Sequence, residues 1–230
     1  MYRLNDYLKG INYPGRGVFI GATPDGVSIV VGYFIMGRSE NSRNRILIPE
    51  NKAIKIGIVD ESKLVDSSFI LYYPIRVCGN MLIVTNGDQT DTVYEYIRGG
   101  HSFEAALRTR NYEEDALLTP RISGLVDLVD GSFRLAIIQA DGNSCSRYFY
   151  EYEPKPGEVR YISTYDGSNS DPKPFVGEPK AFKTIDDIDE FGASIWDALN
   201  EDNKVSFVLK YINLETKETF DRVYNRYSRE

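Results

Sequence analysis

Short runs of β-branched and aromatic residues, each closed by a turn signal, recur along almost the whole chain: GVFIGA from Gly17, VSIVVGYFIM from Val27, AIKIGIV from Ala53, FILYYPIRV from Phe69 and MLIVTNG from Met81. The pattern returns in ISGLVDLV from Ile122, FRLAIIQA from Phe133, SRYFYEYE from Ser146, VRYIST from Val159 and VSFVLKYINL from Val205. Branching at Cβ and planar rings suit the pleated backbone, so strands dominate. Turns such as TPDG (Thr23 to Gly26) and VDGS (Val129 to Ser132) separate several runs. Connections that short favour antiparallel hairpins over helical crossovers.

Helices are few. One starts near Asp88 and sets Val93 and Ile97 one turn apart; a second, from Ser102, does the same with Phe103 and Leu107. A third runs from about Thr184 to Leu199, with Asp186 and Asp187 in its first turn and an apolar stripe of Ile188, Phe191, Ile195 and Leu199. Strands in two blocks, with helices in the middle and near the end, predict an α+β layered fold rather than a doubly wound sheet. The 230 residues suffice for a sizeable core, and 1–230 reads as a single domain. The Pro-, Gly- and Ser-rich stretch at about 152–180 reads as a surface excursion, because the tail after it is too short to hold a core of its own.

With 34 acidic against 27 basic residues, the net charge of -7 repels a polyanion, so nucleic acid is not an expected partner and any anion site must be local. His101 and two distant cysteines, Cys78 and Cys145, are too few for a zinc site, and no metal is expected, although a carboxylate-bound cation stays open without a motif for it. The opening MYRLNDYLKG has no basic, apolar leader, and no run approaches the roughly 20 apolar residues of a membrane helix; the expectation is a cytoplasmic protein without membrane contact.

Four polar clusters fall at predicted strand ends or loops, where a rigid scaffold presents functional groups. They are YPGRG (Tyr13 to Gly17), GRSENSRNR (Gly37 to Arg45), TNGDQTD (Thr85 to Asp91) and NYEEDALLTPRI (Asn111 to Ile122). Arg38, Arg43 and Arg45 with Asn41 and Asn44 would grip a phosphate through planar guanidinium forks, or form a solvated hairpin loop. Gly87 can take a left-handed backbone, and the residues after it open a helix whose free N–H groups can hold an anion; capping explains the same string. Glu113, Glu114 and Asp115 precede Arg121, and neighbouring carboxylates can hold one protonated as an acid while another acts as base; an acidic helix end or pairing with Arg121 is the alternative. Tyr72 and Tyr73 precede Pro74 in a predicted strand, where a phenol stacks on a heterocycle, donates a proton or packs in the core.

In this order the four clusters resemble the archaeal-type inosine monophosphate (IMP) cyclohydrolase family, whose bacterial relatives are single-domain proteins of similar length. YPGRG, GRSENSRNR with the strand before it, YYPIRV, VTNGDQTD and above all NYEEDALLTPRISGL carry the resemblance, over Asn12 to about Leu128 and more loosely Thr184 to Leu214. It implies a four-layer αββα sandwich of two largely antiparallel sheets, resembling N-terminal-nucleophile hydrolases. Their chemistry is not implied, because Tyr2 follows Met1 where a Cys, Ser or Thr nucleophile would be needed.

The implied reaction belongs to cyclohydrolases acting on C–N bonds in cyclic amidines and falls in de novo purine biosynthesis. In the formylated aminoimidazole carboxamide ribotide (5-formamidoimidazole-4-carboxamide ribotide) the carboxamide nitrogen attacks the formyl carbon and water leaves, giving IMP without a cofactor. By motif match, Arg38, Arg43 and Arg45 go to the phosphate and Arg16 or Arg121 nearer the ring. Tyr72 stacks or donates a proton, Glu113 and Asp115 form the acid–base or water-positioning pair, and Asn86 and Asp88 lie on the base or ribose side. The excursion and an extension from about 215 to 230 add material beside the family core. Two rival readings use the same residues: a hydrolase of another amide or cyclic C–N bond, and a nucleotide-binding module without catalysis. Exposed edge strands of such a sandwich need covering, which a homo-oligomer would supply.

Overall fold

The computed structural model describes residues 2–64, 70–167 and 170–227. Met1, the first residue of the strand expected from Phe69, residues 168–169 of the excursion and residues 228–230 lie outside the described residues. In chain order the elements are α1 (Leu4–Lys9), β1 (Arg16–Ala22), β2 (Ser28–Met36), α2 (Glu40–Arg43), β3 (Arg45–Glu50), β4 (Ala53–Ile58), β5 (Ile75–Cys78), β6 (Met81–Thr85), α3 (Gln89–Arg98), α4 (Phe103–Arg108), β7 (Arg121–Asp127), β8 (Phe133–Asp141), β9 (Ser144–Tyr152), β10 (Glu158–Ser163), β11 (Lys180–Lys183), α5 (Ile188–Ala198), β12 (Lys204–Asn213) and β13 (Thr219–Asn225).

Two antiparallel sheets result. One has seven strands in the order β3-β4-β5-β6-β7-β8-β9, each beside its chain neighbour; the other has six, ordered β11-β10-β1-β2-β12-β13. They face one another across a core in which Gly124 of β7 leaves room for Ile20 of β1. Helices α1 and α5 pack together beside the six-stranded sheet, and α3 and α4 cover the other sheet over Ile83, Val93, Phe103, Leu107, Leu125 and Ile138. The expected α+β sandwich is therefore present as four layers. Helices of ten and six residues, as in α3 and α4, are not stable alone, and burial at about 1.5–3 kcal/mol per large apolar side chain holds them. Among the described residues no helix is long and apolar enough to cross a membrane.

Several local expectations shift. Tyr72 and Tyr73 are not in a strand: the ladder begins at Ile75, because Pro74 has no N–H to donate, and the Tyr72 carbonyl, accepting from Ile56 N–H at 3.1 Å, ties this segment to β4. The third helix starts at Ile188 rather than Thr184, since the Asp187 side chain caps the N–H groups of Asp189 and Glu190 at 2.8 and 2.9 Å. Thr184 instead donates its hydroxyl to the Ala22 carbonyl. Arg45 closes the expected arginine loop and opens a strand, β3. The stretch expected as an extension pairs along β12 as β13, and the excursion contains β10, which lies between β1 and β11.

Replacing Asp187 by Ala leaves two helix N–H groups uncapped. Urea denaturation should show a loss of about 1 kcal/mol at unchanged m-value. An unmoved midpoint would mean that packing alone sets this helix start.

Candidate active site

Strand ends converge at one end of the sandwich. The start of β1, the segment after β2, the start of β3, the loop before β7 and the chain after β10 enclose a cleft of about 420 Å3. Arg16, Arg38, Arg45, Glu113, Asp115 and Tyr165 all line it.

Local chemistry sets each contributor. Gly15 has φ of 73°, and a Cβ there would overlap Thr164 Oγ1 and the Tyr165 ring, so the YPGRG turn passes under the chain after β10 only as glycine. The Arg16 N–H then donates to Thr164 Oγ1 at 3.1 Å. Ser39 and Ser42 form a reciprocal capping box at the short α2 turn, and Arg45 Nε donates to the Ser42 carbonyl at 2.8 Å. The Glu113 loop closes on itself through Glu113 N–H to the Thr119 carbonyl at 2.9 Å. Asp115 knots it: Oδ1 accepts from the N–H groups of Leu117 and Thr119 at 3.2 and 2.8 Å, and Oδ2 from the Thr119 hydroxyl at 2.6 Å.

Charge is concentrated on the floor. Arg45 is wholly buried, and among the described residues its Nη1 and Nη2 have no hydrogen-bond partner; the same holds for Nε of Arg16 and Oε1 of Glu113. Burial, and then repulsion from Arg16, hold Arg45 below its ordinary pKa. Burial also works against charge on Arg16, but Tyr72 and Glu113 outweigh it and hold that guanidinium above its ordinary value. An unpaired buried charge costs several kcal/mol, so the floor is built to receive an anionic or strongly polar oxygen.

Glu113 is 2% exposed. Burial raises its pKa from 4.5 to about 7, although Arg16 and Arg121 pull it down. A carboxyl there both takes and gives protons near neutral pH. At the wall, the Arg38 guanidinium lies 4.8 Å from the centre of the Tyr13 ring, which stacks on Tyr165 at 5.9 Å. The Tyr165 hydroxyl, pushed up to about 12 by burial, pairs with Thr119 Oγ1 at 2.7 Å.

Of the residues expected at the site, Arg16, Arg38, Arg45, Glu113 and Asp115 meet in the cleft. Asp115 does so as the knot of the loop, with both oxygens engaged. Tyr72 lies behind the floor, its hydroxyl 2.6 Å from that of Tyr33. Arg43 turns away: it donates to the Gly37 carbonyl at 2.9 Å and Asn203 Oδ1 at 3.3 Å, beside a separate cleft with Asp60 and Lys63. Asn86 is buried, its amide spanning Pro120, Gln89 and Ile122. Asp88 pairs with Arg110 and with Arg121 at 2.7 Å, and does not line the cleft. Arg121 stands behind Glu113, 3.9 Å from Oε1. Gly87 is not left-handed; it is small because Gln89, Arg121 and Glu113 crowd it.

Tyr13, Tyr33, Thr119 and Tyr165 were not expected. Tyr13 sits inside a motif already conspicuous for its arginine, whereas a tyrosine inside an apolar strand, such as Tyr33, reads as packing.

Fold and floor together define a cleft whose buried cations suit a small anionic ligand, beside a carboxyl with its pKa raised to about 7. Residues 13–218 match the family model of IMP cyclohydrolase-like proteins, and the chain belongs to this family. An IMP cyclohydrolase of Methanosphaera stadtmanae is 30% identical over 158 residues, covering 67% of this chain and 74% of the relative. The IMP cyclohydrolase of Methanothrix thermoacetophila is 30% identical over 169 residues, 72% and 80% of the two chains, and that of Methanopyrus kandleri 31% over 157, 66% and 75%. Every residue lining the cleft falls within the matched stretch, whereas β13 begins just beyond it.

Two stability measurements check the floor. Arg45→Met removes a buried charge without an anion, so the ligand-free variant should gain about 1 kcal/mol or more in urea denaturation; a clear loss would show that Arg45 is structurally compensated. Glu113 has a folded-state pKa above its unfolded one, so its protonated form favours folding fully below pH 4.5, and this contribution is lost as pH rises through about 7. Stability relative to Glu113→Gln should therefore shift toward the variant by up to about 3 kcal/mol between about pH 5 and 8. A pH-independent difference would place the Glu113 pKa in the ordinary range.

Proposed function

We propose that this chain is a cytoplasmic IMP cyclohydrolase, closing the pyrimidine ring of the formylated aminoimidazole carboxamide ribotide. The observation that carries the reading is the floor: Arg45 nitrogens without a partner among the described residues, in one cleft with a Glu113 whose pKa burial raises to about 7, in a chain of this family. Both reacting groups belong to one molecule, so the enzyme holds a reactive rotamer and moves protons. Arg38, with Ser39, Asn41 and Ser42 near it at the cleft, receives the phosphate, while Arg16 and Arg45 face the reacting end.

In this scheme ionised Glu113 takes a proton from the carboxamide nitrogen as that nitrogen bonds to the formyl carbon. The formyl oxygen gains charge opposite Arg16 and Arg45. Protonated Glu113 then gives that proton to the oxyanion, making a hydroxyl. Glu113 next takes the formamide N–H proton and passes it to this hydroxyl as the C–O bond breaks, so that water leaves, the ring becomes aromatic and Glu113 ends ionised as it began. A carboxyl with a pKa near the working pH suits each of these transfers.

The test is ultraviolet absorbance of the formylated ribotide mixed with purified protein, since ring closure changes the chromophore. Turnover is expected, and Glu113→Gln should lower kcat about 100-fold or more while IMP still binds. Arg38→Ala should weaken nucleotide binding by about 1.5–3 kcal/mol. An unchanged spectrum despite IMP binding favours a non-catalytic nucleotide binder; opening of another nucleotide analogue instead favours the hydrolase reading.

A further inference from the structure

Residues 109–120, between α4 and β7, carry no helix or strand, yet they bring Glu113 to the cleft. Oε1 of Glu113 has no hydrogen-bond partner among the described residues, and Arg121 stands 3.9 Å from it, so the place of the carboxyl depends on how its backbone is held. Thr119, 1% exposed, is the node of that hold. Its carbonyl accepts from the Glu113 N–H at 2.9 Å, its N–H donates to Asp115 Oδ1 at 2.8 Å, and its hydroxyl donates to Asp115 Oδ2 at 2.6 Å.

The Tyr165 hydroxyl meets the same node from the other sheet, 2.7 Å from Thr119 Oγ1, and both residues line the cleft. A hydroxyl carries one proton, and Thr119 gives its own to Asp115, so Tyr165 is the donor of this bond. Its proton is thereby committed to the protein. Tyr165 follows β10 of the six-stranded sheet, and Thr119 precedes β7 of the seven-stranded one. Behind Tyr165 the chain is zipped to the strand start that carries Arg16: the Arg16 carbonyl accepts from Thr164 N–H at 2.9 Å, and the Pro14 carbonyl from Tyr165 N–H at 3.1 Å. One path of bonds therefore runs from the Arg16 backbone through Tyr165 and Thr119 to the Glu113 N–H. Phenylalanine at position 165 would keep the ring stacked on Tyr13 and cut this path at one point.

We propose that Tyr165 is a positioning residue whose hydroxyl, acting through Thr119, clamps the Glu113 loop to the strand that carries Arg16 and so fixes the proton-exchanging carboxyl at the reacting end of the substrate. This rests on the cyclohydrolase reading, in which Glu113 moves the protons. Among the described residues the charged groups facing Glu113 are Arg16 of β1, Arg45 of β3, Arg121 of β7 and Asp115 of its own loop. Tyr165→Phe alters none of them. Burial is the largest influence on the Glu113 carboxyl and holds its pKa at about 7. A loop released from Tyr165 lets water reach that carboxyl, so its pKa falls back toward 4.5.

The experiment measures kcat and the pH profile of kcat/KM with the formylated ribotide for wild type, Tyr165→Phe, Thr119→Val, Thr119→Ser and the double variant of Tyr165→Phe with Thr119→Val. Tyr165→Phe should lower kcat about tenfold and move the acid limb of the profile, near 7 in wild type, down by about half a pH unit or more. The substrate phosphate titrates alike in every arm, so the difference between profiles belongs to the enzyme. Thr119→Val should do the same or more, Thr119→Ser should recover part of that loss, and the double variant should be no worse than Thr119→Val alone. Should Tyr165→Phe fail to fold, the profiles of Thr119→Val and Thr119→Ser carry the same comparison. An acid limb unmoved in Tyr165→Phe, whatever the urea midpoint does, would leave a purely structural hydroxyl and overturn the assignment. A raised KM at wild-type kcat would make Tyr165 a substrate contact and overturn it too. A wild type that leaves the ribotide unchanged removes the cyclohydrolase reading by itself; the hold on Glu113 is then read from the urea stability of Tyr165→Phe with and without Glu113→Gln. It is overturned if the pH window of that difference stays where it lies in wild type.

Discussion

Two guanidinium groups held between the ends of two β-sheets are the constraint around which the rest of the molecule is arranged. A cation taken out of water loses hydration that protein groups must replace or that a ligand must supply. Here Glu113 and the phenols of Tyr33 and Tyr72 give part of the replacement, yet both Nη atoms of Arg45 remain without a partner among the described residues. That deficit is also what makes a site. In an acidic protein, a dianionic ligand meets an unfavourable field over most of the surface and a favourable one only where cations cluster.

The same arrangement divides labour between two neighbouring carboxyls. Asp115 accepts three hydrogen bonds within its own loop and holds the turn. Glu113, two residues earlier, is buried with an oxygen left unpartnered among the described residues. Environment rather than residue type assigns one to architecture and the other to proton exchange. The backbone enters the left-handed region where it supports this: Gly15 does so at no steric cost, with a φ of 73° next to Arg16, and Leu118 under strain, with a φ of 49° next to Thr119. A left-handed leucine persists only where surrounding bonds over-determine it, which the Asp115 knot does.

Most strands were legible because their apolar runs are long and bounded by turns. Those that were not are instructive. β3, RILIPE, opens with a buried arginine and holds only a three-residue aliphatic run before Pro49, and β13, TFDRVYN, mixes charge and apolar residues along a sheet edge, so neither shows a long hydrophobic run. At the site, spacing located the clusters but not the direction of their side chains. Arg43 and Arg45 are two residues apart, yet one ends a helical turn and points to Asn203, while the other begins a strand and points into the cleft. Asn86 and Asp88 look reactive in sequence because they are polar, but their bonds fasten the β6–β7 end and the loop behind Glu113. Tyr33 and Tyr165 were hidden for the opposite reason, since core packing accounts for most tyrosines in strand-rich chains.

The two sheets also differ in how far apart along the chain their neighbours lie. The seven-stranded sheet pairs only consecutive strands and can zip up from local hairpins as they are synthesised. The six-stranded sheet joins β1 and β2 to β10 and β12, more than a hundred residues downstream, so its first hairpin waits with both edges unpaired until the last third of the chain appears. Arg16 belongs to that waiting hairpin, and Arg45 and Glu113 to the sheet that forms early. The two cations are therefore forced together only when the late strands dock, so the electrostatic penalty of the site falls at the last stage of folding, after most of the apolar surface is already buried.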